Sequence, residues 1–199
     1  MVVYCNMKWL TVFCIVLSSA GLFSQQVPFI DYASVTSFHW GMFKGKVNIQ
    51  HLNEMGDNTQ AVTVSSLSYS ADAITDRSAT LKVVAQFNPN ESWTRYPKME
   101  RQEIALDHEK RHFDITEIYA RKIRKAIATG HFTSKHFTDY LNNLFKDFTS
   151  QHRAEQSKYD FETMHSMDAV QQKKWNKWID EQLEELSDYS ETSLVVVFK

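Results

Sequence analysis

The sequence predicts an α+β fold, an N-terminal antiparallel sheet followed by a helical part, on three observations. Between Val27 and Trp93 the chain reads as extended, with apolar and polar residues alternating in the period of a strand. After Pro97 the apolar residues recur at steps of three and four, the period of a helix, and Leu194 to Phe198 returns to a β-branched and aromatic run.

The first residues stand apart from the fold. Lys8 precedes an apolar run from Trp9 to Phe23, interrupted by Thr11, Ser18, Ser19 and Gly21, with small residues near its end. This is the makeup of a secretory signal peptide, residues 1–24, cleaved after Ser24, or after Ala20 or Gly21. Met7-Lys8 offers a second start. The run of about fifteen residues falls short of the roughly twenty that span a bilayer, so an uncleaved anchor is the alternative and no stable membrane insertion is expected after cleavage. Export to the periplasm or the medium follows. Cys5 and Cys14 both lie in the removable segment, so no disulfide framework is expected and thiolate ligands are excluded. Residues 25–199 suffice for a single domain. A net charge of −2 with both signs mixed provides no basic field for nucleic acid.

Each element follows from its own pattern. Ala61 to Tyr69 is rich in Val, Thr and Ser, and Leu81, Val83, Ala85 and Phe87 alternate with more polar neighbours, which predicts two or more paired strands. Asn88-Pro89-Asn90 ends the second run. Pro97 suits a helix start and Gly130 a stop, with Ile104, His108, His112, Ile115, Tyr119, Ile123 and Ala126 on one stripe between them. A second helix presents Phe137, Leu141, Leu144 and Phe148 and is capped at Thr133 or Ser134. A third begins near Ser166 and turns Val170, Trp175, Trp178, Ile179, Leu183 and Leu186 to the core, its tryptophans serving packing.

The chemistry lies in His108-Glu109-Lys110-Arg111-His112, an HExxH arrangement. Four residues apart on a helix, both imidazoles reach one ion, and Glu109 is placed to act as general base on the water that such an ion activates. Two stacked histidines on an apolar stripe with an acid beside them favour a metal over two satisfied core histidines. A helix of this kind after a sheet makes the expected fold zincin-like.

A catalytic zinc needs a third protein ligand and one open position. Six residues beyond His112 stands Ile118, and no glutamate occurs between Glu117 and Glu155, so neither familiar extension of the motif is present. Glu117 lies on a poor face of the same helix. The candidates are His131, His136, His152, His165, Asp139, Asp147, Asp160 and Glu162. His131 and His136 follow the helix end, and His152 sits among charged residues, so these three are expected to be exposed. His165 lies in a polar connection between helices, but spacing alone does not select it.

The run Leu106-Asp107-His108-Glu109-Lys110-Arg111-His112-Phe113-Asp114-Ile115, continued by Tyr119-Ala120-Arg121, resembles the core of bacterial domain-of-unknown-function family 922, described as predicted secreted zinc-dependent proteases. Trp40 with Phe43-Lys44-Gly45, Phe87 through Ser92-Trp93, and Tyr159-Asp160 with Thr163 and His165 resemble its remaining elements, the last being a YDxxTxH motif. A glycine commonly follows that histidine in the family, where this chain has Ser166. The resemblance implies a secreted or periplasmic zinc metalloprotease, with His108, His112 and His165 as metal ligands, Glu109 as catalytic base, and a peptide or protein as substrate. Tyr159 or Tyr119 is available to the developing oxyanion, although packing is the commoner use of both. The alternatives are a binding module with a structural zinc, which a fourth ligand such as Asp160 or Glu162 would favour, and a chance motif without metal.

Overall fold

The structure, a computed structural model, describes residues 27–47, 59–95 and 102–199; the signal segment and Pro97 lie outside the described residues. It is α+β, a sheet followed by three helices. Among the described residues six strands, β1 (Ile30–Asp31), β2 (Ala61–Val62), β3 (Ser65–Ile74), β4 (Ser78–Phe87), β5 (Trp93–Thr94) and β6 (Ser193–Val197), accompany α1 (Gln102–Thr129), α2 (Ser134–Thr163) and α3 (Ala169–Glu185).

β4 is the spine of the main sheet. The β3–β4 hairpin closes through Thr75, whose hydroxyl accepts from the backbone N–H groups of Arg77 at 3.2 Å and Ser78 at 3.0 Å. The other edge of β4 is shared: β6 pairs with Ser78–Lys82 and β1 with Gln86–Phe87, all antiparallel. Strand alternation sends Ala79, Leu81, Val83, Ala85 and Phe87 to one face, none more than 1% exposed, and α1 lies across it. Ile123 and Ile127 of α1 pack on Ala79, Leu81 and Val83, while Phe137 and Leu141 of α2 and Val196 of β6 close that cluster. Each such side chain contributes about 1.5–3 kcal/mol by leaving water. Paired strands stand as read, but the run from Ala61 to Tyr69 divides into β2 and β3 in different sheets; the stripe holds at Ile115, Tyr119 and Ile123, and Ile127 rather than Ala126 enters the core. Ile104 does not, being 48% exposed at the outer start of the helix.

Glycine is required at two junctions by close approach. At Gly130, just past α1, a Cβ would run into the ring of Phe132, which packs against the same core cluster. At Gly45 a Cβ would sit 2.8 Å from the carbonyl oxygens of Asn90 and Ser92, and the Gly45 N–H donates to Ser92 O at 2.8 Å. That contact anchors the turn before β5, which pairs with β2 as a second, two-stranded sheet.

Two helix boundaries differ from the sequence reading. α2 continues through Tyr159-Asp160 to Thr163 instead of ending in a polar connection, because His152, Gln156, Tyr159 and Thr163 extend its inward stripe with polar side chains. α3 starts at Ala169, not near Ser166, because the Asp168 carboxylate caps it, accepting from Val170 N at 2.9 Å and Gln171 N at 3.0 Å. Val170 is consequently 65% exposed rather than core. Thr133 takes the N-cap position of α2 without a side-chain bond. Glu117 is buried and committed to Arg121 and Arg124, the latter also donating to the carbonyls of Val83 at 2.9 Å and Tyr189 at 2.6 Å. This pairing compensates both buried charges.

Candidate metal centre

His108 and His112 lie in the N-terminal half of α1, one turn apart, both buried. Their rings are nearly perpendicular with the Nε2 atoms 3.2 Å apart, and Tyr159 stacks on His108 at 4.5 Å. Opposite them, the last turn of α2 presents Asp160, whose Oδ1 lies 3.2 Å from His108 Nε2 and 3.0 Å from His112 Nε2.

The local backbone brings His165 to the same carboxylate. After Thr163, whose hydroxyl bonds Tyr159 O, Met164, His165 and Ser166 are all left-handed, with φ of 50°, 51° and 73°. The His165 N–H returns to Asp160 O at 3.0 Å and Met164 N–H to Phe161 O at 3.4 Å, the pairing of a Schellman stop. The chain therefore doubles back, and His165 Nδ1 lies 3.3 Å from Asp160 Oδ1. His108, Asp160 and His165 each offer a ligand atom within 4.8 Å of the others.

These distances fit a metal. Ligand atoms held about 2.0–2.1 Å from one tetrahedral zinc lie about 3.3 Å from each other, close to the separations of the His108, His112 and Asp160 atoms. The donors are nitrogen and oxygen only, a set that several divalent metals accept.

Electrostatics knit the group together. Burial alone would depress His112, but Asp160, Glu109 and the bond to Gln156 outweigh it and raise its pKa to about 9. Burial pushes Asp160 upward, yet His112, His108 and His165 hold it well below the usual carboxylate range. The bond to Asp160 raises His165. A cation bound at this group would therefore displace a proton.

Glu109 faces the same site differently. It is 5% exposed, and its Oε2 is buried with no hydrogen-bond partner among the described residues. It borders a cavity of about 160 Å³ lined also by His108, His112, Asp160, His165 and the run Thr59–Thr63. A buried carboxylate oxygen without a donor is costly unless the site supplies one.

Of the other sequence candidates, His131 and His136 are exposed as expected, and Glu162 is occupied by Trp175 Nε1 at 2.9 Å. His152 is not exposed: it is buried beside the site, its Nε2 meeting Thr116 Oγ1 and Gln156 Nε2 at 2.9 Å each. Its charged neighbours lie on the outer face of α2, which concealed the inward direction of this one residue. Burial, then His112 and Arg153, lower its pKa to about 4. Tyr119 bonds Glu155, and Tyr159 is buried under His108, its OH donating to His108 O. Sequence reading also passed over Gln156 and Gln172, which hold the two motif histidines. The signal was present in the helical steps His152–Gln156–Tyr159–Thr163 and Gln172–Trp175–Ile179.

Fold and site together define an α+β protein with a helix-borne histidine, aspartate and glutamate cluster able to hold a metal ion. Residues 25–166 match the family described as bacterial protein of unknown function, DUF922, and the chain belongs to that family. No curated protein and no solved structure matches the chain.

Proposed function

We propose that the protein is a zinc-dependent peptidase of zincin-like build, acting as a single domain of residues 25–199 after export to the periplasm or the medium. His108, His112 and His165 would hold the ion, with Asp160 beside them. The observation that carries the reading is the buried, partnerless Glu109 oxygen facing a cavity next to paired imidazoles. A purely structural metal has no use for such a group. A bound zinc supplies Lewis acidity, which acidifies water and polarises a carbonyl. Glu109 takes the proton of the attacking water and delivers it to the leaving amine, its unpaired oxygen being the available acceptor. The run Thr59–Thr63, which includes β2, lines one side of the cavity, and a peptide would lie along it. For export, the support is the signal-like segment 1–24; no helix among the described residues is long and apolar enough to cross a membrane.

A structural zinc is the second reading, favoured by Asp160, which brings a fourth donor within reach of the histidines. Glu109→Gln separates the two. In the peptidase, the variant keeps its zinc and its fold while casein or peptide hydrolysis falls by about a hundredfold or more. A structural site predicts no hydrolysis in either protein and unfolding when a chelator removes the metal. Loss of zinc from Glu109→Gln would refute the assignment of Glu109 as base.

A further inference from the structure

The face of each motif histidine turned away from Asp160 is held by a glutamine, and the hydrogen bonds leave one arrangement of protons. The series begins at Asp107, a carboxylate and so an acceptor only. Asn176 Nδ2 donates to Asp107 Oδ2 at 2.7 Å, which turns Asn176 Oδ1 toward Gln172. Gln172 Nε2 donates to that oxygen at 2.8 Å and to Tyr159 OH at 2.7 Å. The Gln172 oxygen must then face His108 Nδ1, which it meets at 3.0 Å. An amide oxygen carries no proton, so the proton sits on Nδ1 and His108 Nε2 is left to the site.

His112 reaches the same state by another route. Gln156 Nε2 donates to the His112 backbone carbonyl at 2.8 Å and to His152 Nε2 at 2.9 Å. A carbonyl cannot donate, so Gln156 Oε1 is the atom facing His112 Nδ1, which must bear the hydrogen. The two glutamines come from different helices, α2 and α3. Gln172 lies beyond residue 166, where the family match ends, and is 6% exposed. An amide also accepts this proton without adding charge to a pocket that already holds Asp160 and Glu109.

We infer that Gln156 and Gln172 are positioning residues that lock both motif histidines in the Nδ1–H tautomer, so that both Nε2 lone pairs point at one metal ion. The inference rests on the metal-site reading above, but the glutamines fix the Nδ1 proton without the metal, and it is measured without it. Long-range ¹H–¹⁵N spectra of the metal-free protein above about pH 9, where His112 has given up its second proton, should show His108 and His112 protonated at Nδ1. Gln172→Leu should convert His108 to a mixture of tautomers and leave His112 unchanged; Gln156→Leu should do the reverse. In zinc competition against a chelator, each leucine variant should bind about 10–100-fold more weakly. Gln172→Glu, which keeps an oxygen facing His108 Nδ1, should recover most of that loss, and Gln151→Leu on the exposed face of α2 should bind as wild type. A fully Nε2-protonated His108 in the wild type would overturn the inference, as would unchanged tautomers in folded leucine variants. If Gln172→Leu does not fold, Gln172→Glu decides: a mixed His108 tautomer there counts against the lock. A wild type with the expected tautomers that takes up no zinc would refute the metal reading while upholding the lock.

Discussion

The two halves of α1 are buried in opposite chemical ways. From Ile118 onward the helix meets the sheet mainly through Ile123 and Ile127, an apolar contact, with Arg124 as its one buried charge. From His108 to Glu117 it buries two histidines, two glutamates, Asp114 and Thr116. Every one of those groups needs a partner, and the fold supplies them. Tyr32, Lys110 and Arg111 meet Asp114; Ser65 and His152 meet Thr116; glutamines meet the histidines; arginines meet Glu117. Among these groups Glu109 Oε2 is the exception. The comparison teaches that the sheet half supplies stability and the polar half spends some of it to hold a reactive arrangement.

The largest effect should come from the apolar half. Leu81→Ala, at a fully buried position under α1, should destabilise the protein by about 2–5 kcal/mol in denaturant melts. Glu109→Gln should cost little, since its Oε2 makes no hydrogen bond that the change would break. Equal losses in the two variants would break the distinction.

His152 sharpens it through pH. In the folded protein it remains neutral down to about pH 4, whereas in the unfolded chain it takes a proton at the ordinary value near 6.5. Its contribution is therefore complete above that ordinary value and is lost as pH falls through the window from 6.5 to about 4, amounting to roughly 3 kcal/mol. Subtracting the melts of His152→Gln from those of wild type isolates this contribution. A difference that stays flat across the window would show that His152 is solvated.

The smallest effect concerns Ser166. At φ 73° it occupies backbone that glycine adopts freely and other residues adopt at a cost. Ser166→Gly should stabilise by about 1 kcal/mol and leave zinc binding unchanged. Destabilisation would mean that the serine side chain does more than tolerate the turn.

Legibility followed the same division. The alternation of β4 and the stripe from Ile115 to Ile123 were readable because apolar periodicity directly reports a buried face. The motif was readable because its residue types and spacing carry their own chemistry. The end of α2 was not, since His152, Gln156 and Asp160 are polar residues facing inward, and local polarity argues for a loop or a surface. Nor was the backbone that returns His165 to Asp160, which depends on three consecutive left-handed residues that no local pattern announces.

Zinc titration of the purified protein and its histidine variants tests the central claim most directly. The account predicts one ion per chain, binding abolished in His108→Ala and His112→Ala, strongly weakened in His165→Ala, and unchanged in His131→Ala and His136→Ala. A wild type that takes up no zinc, or a His108→Ala variant that binds as tightly as wild type, would contradict it.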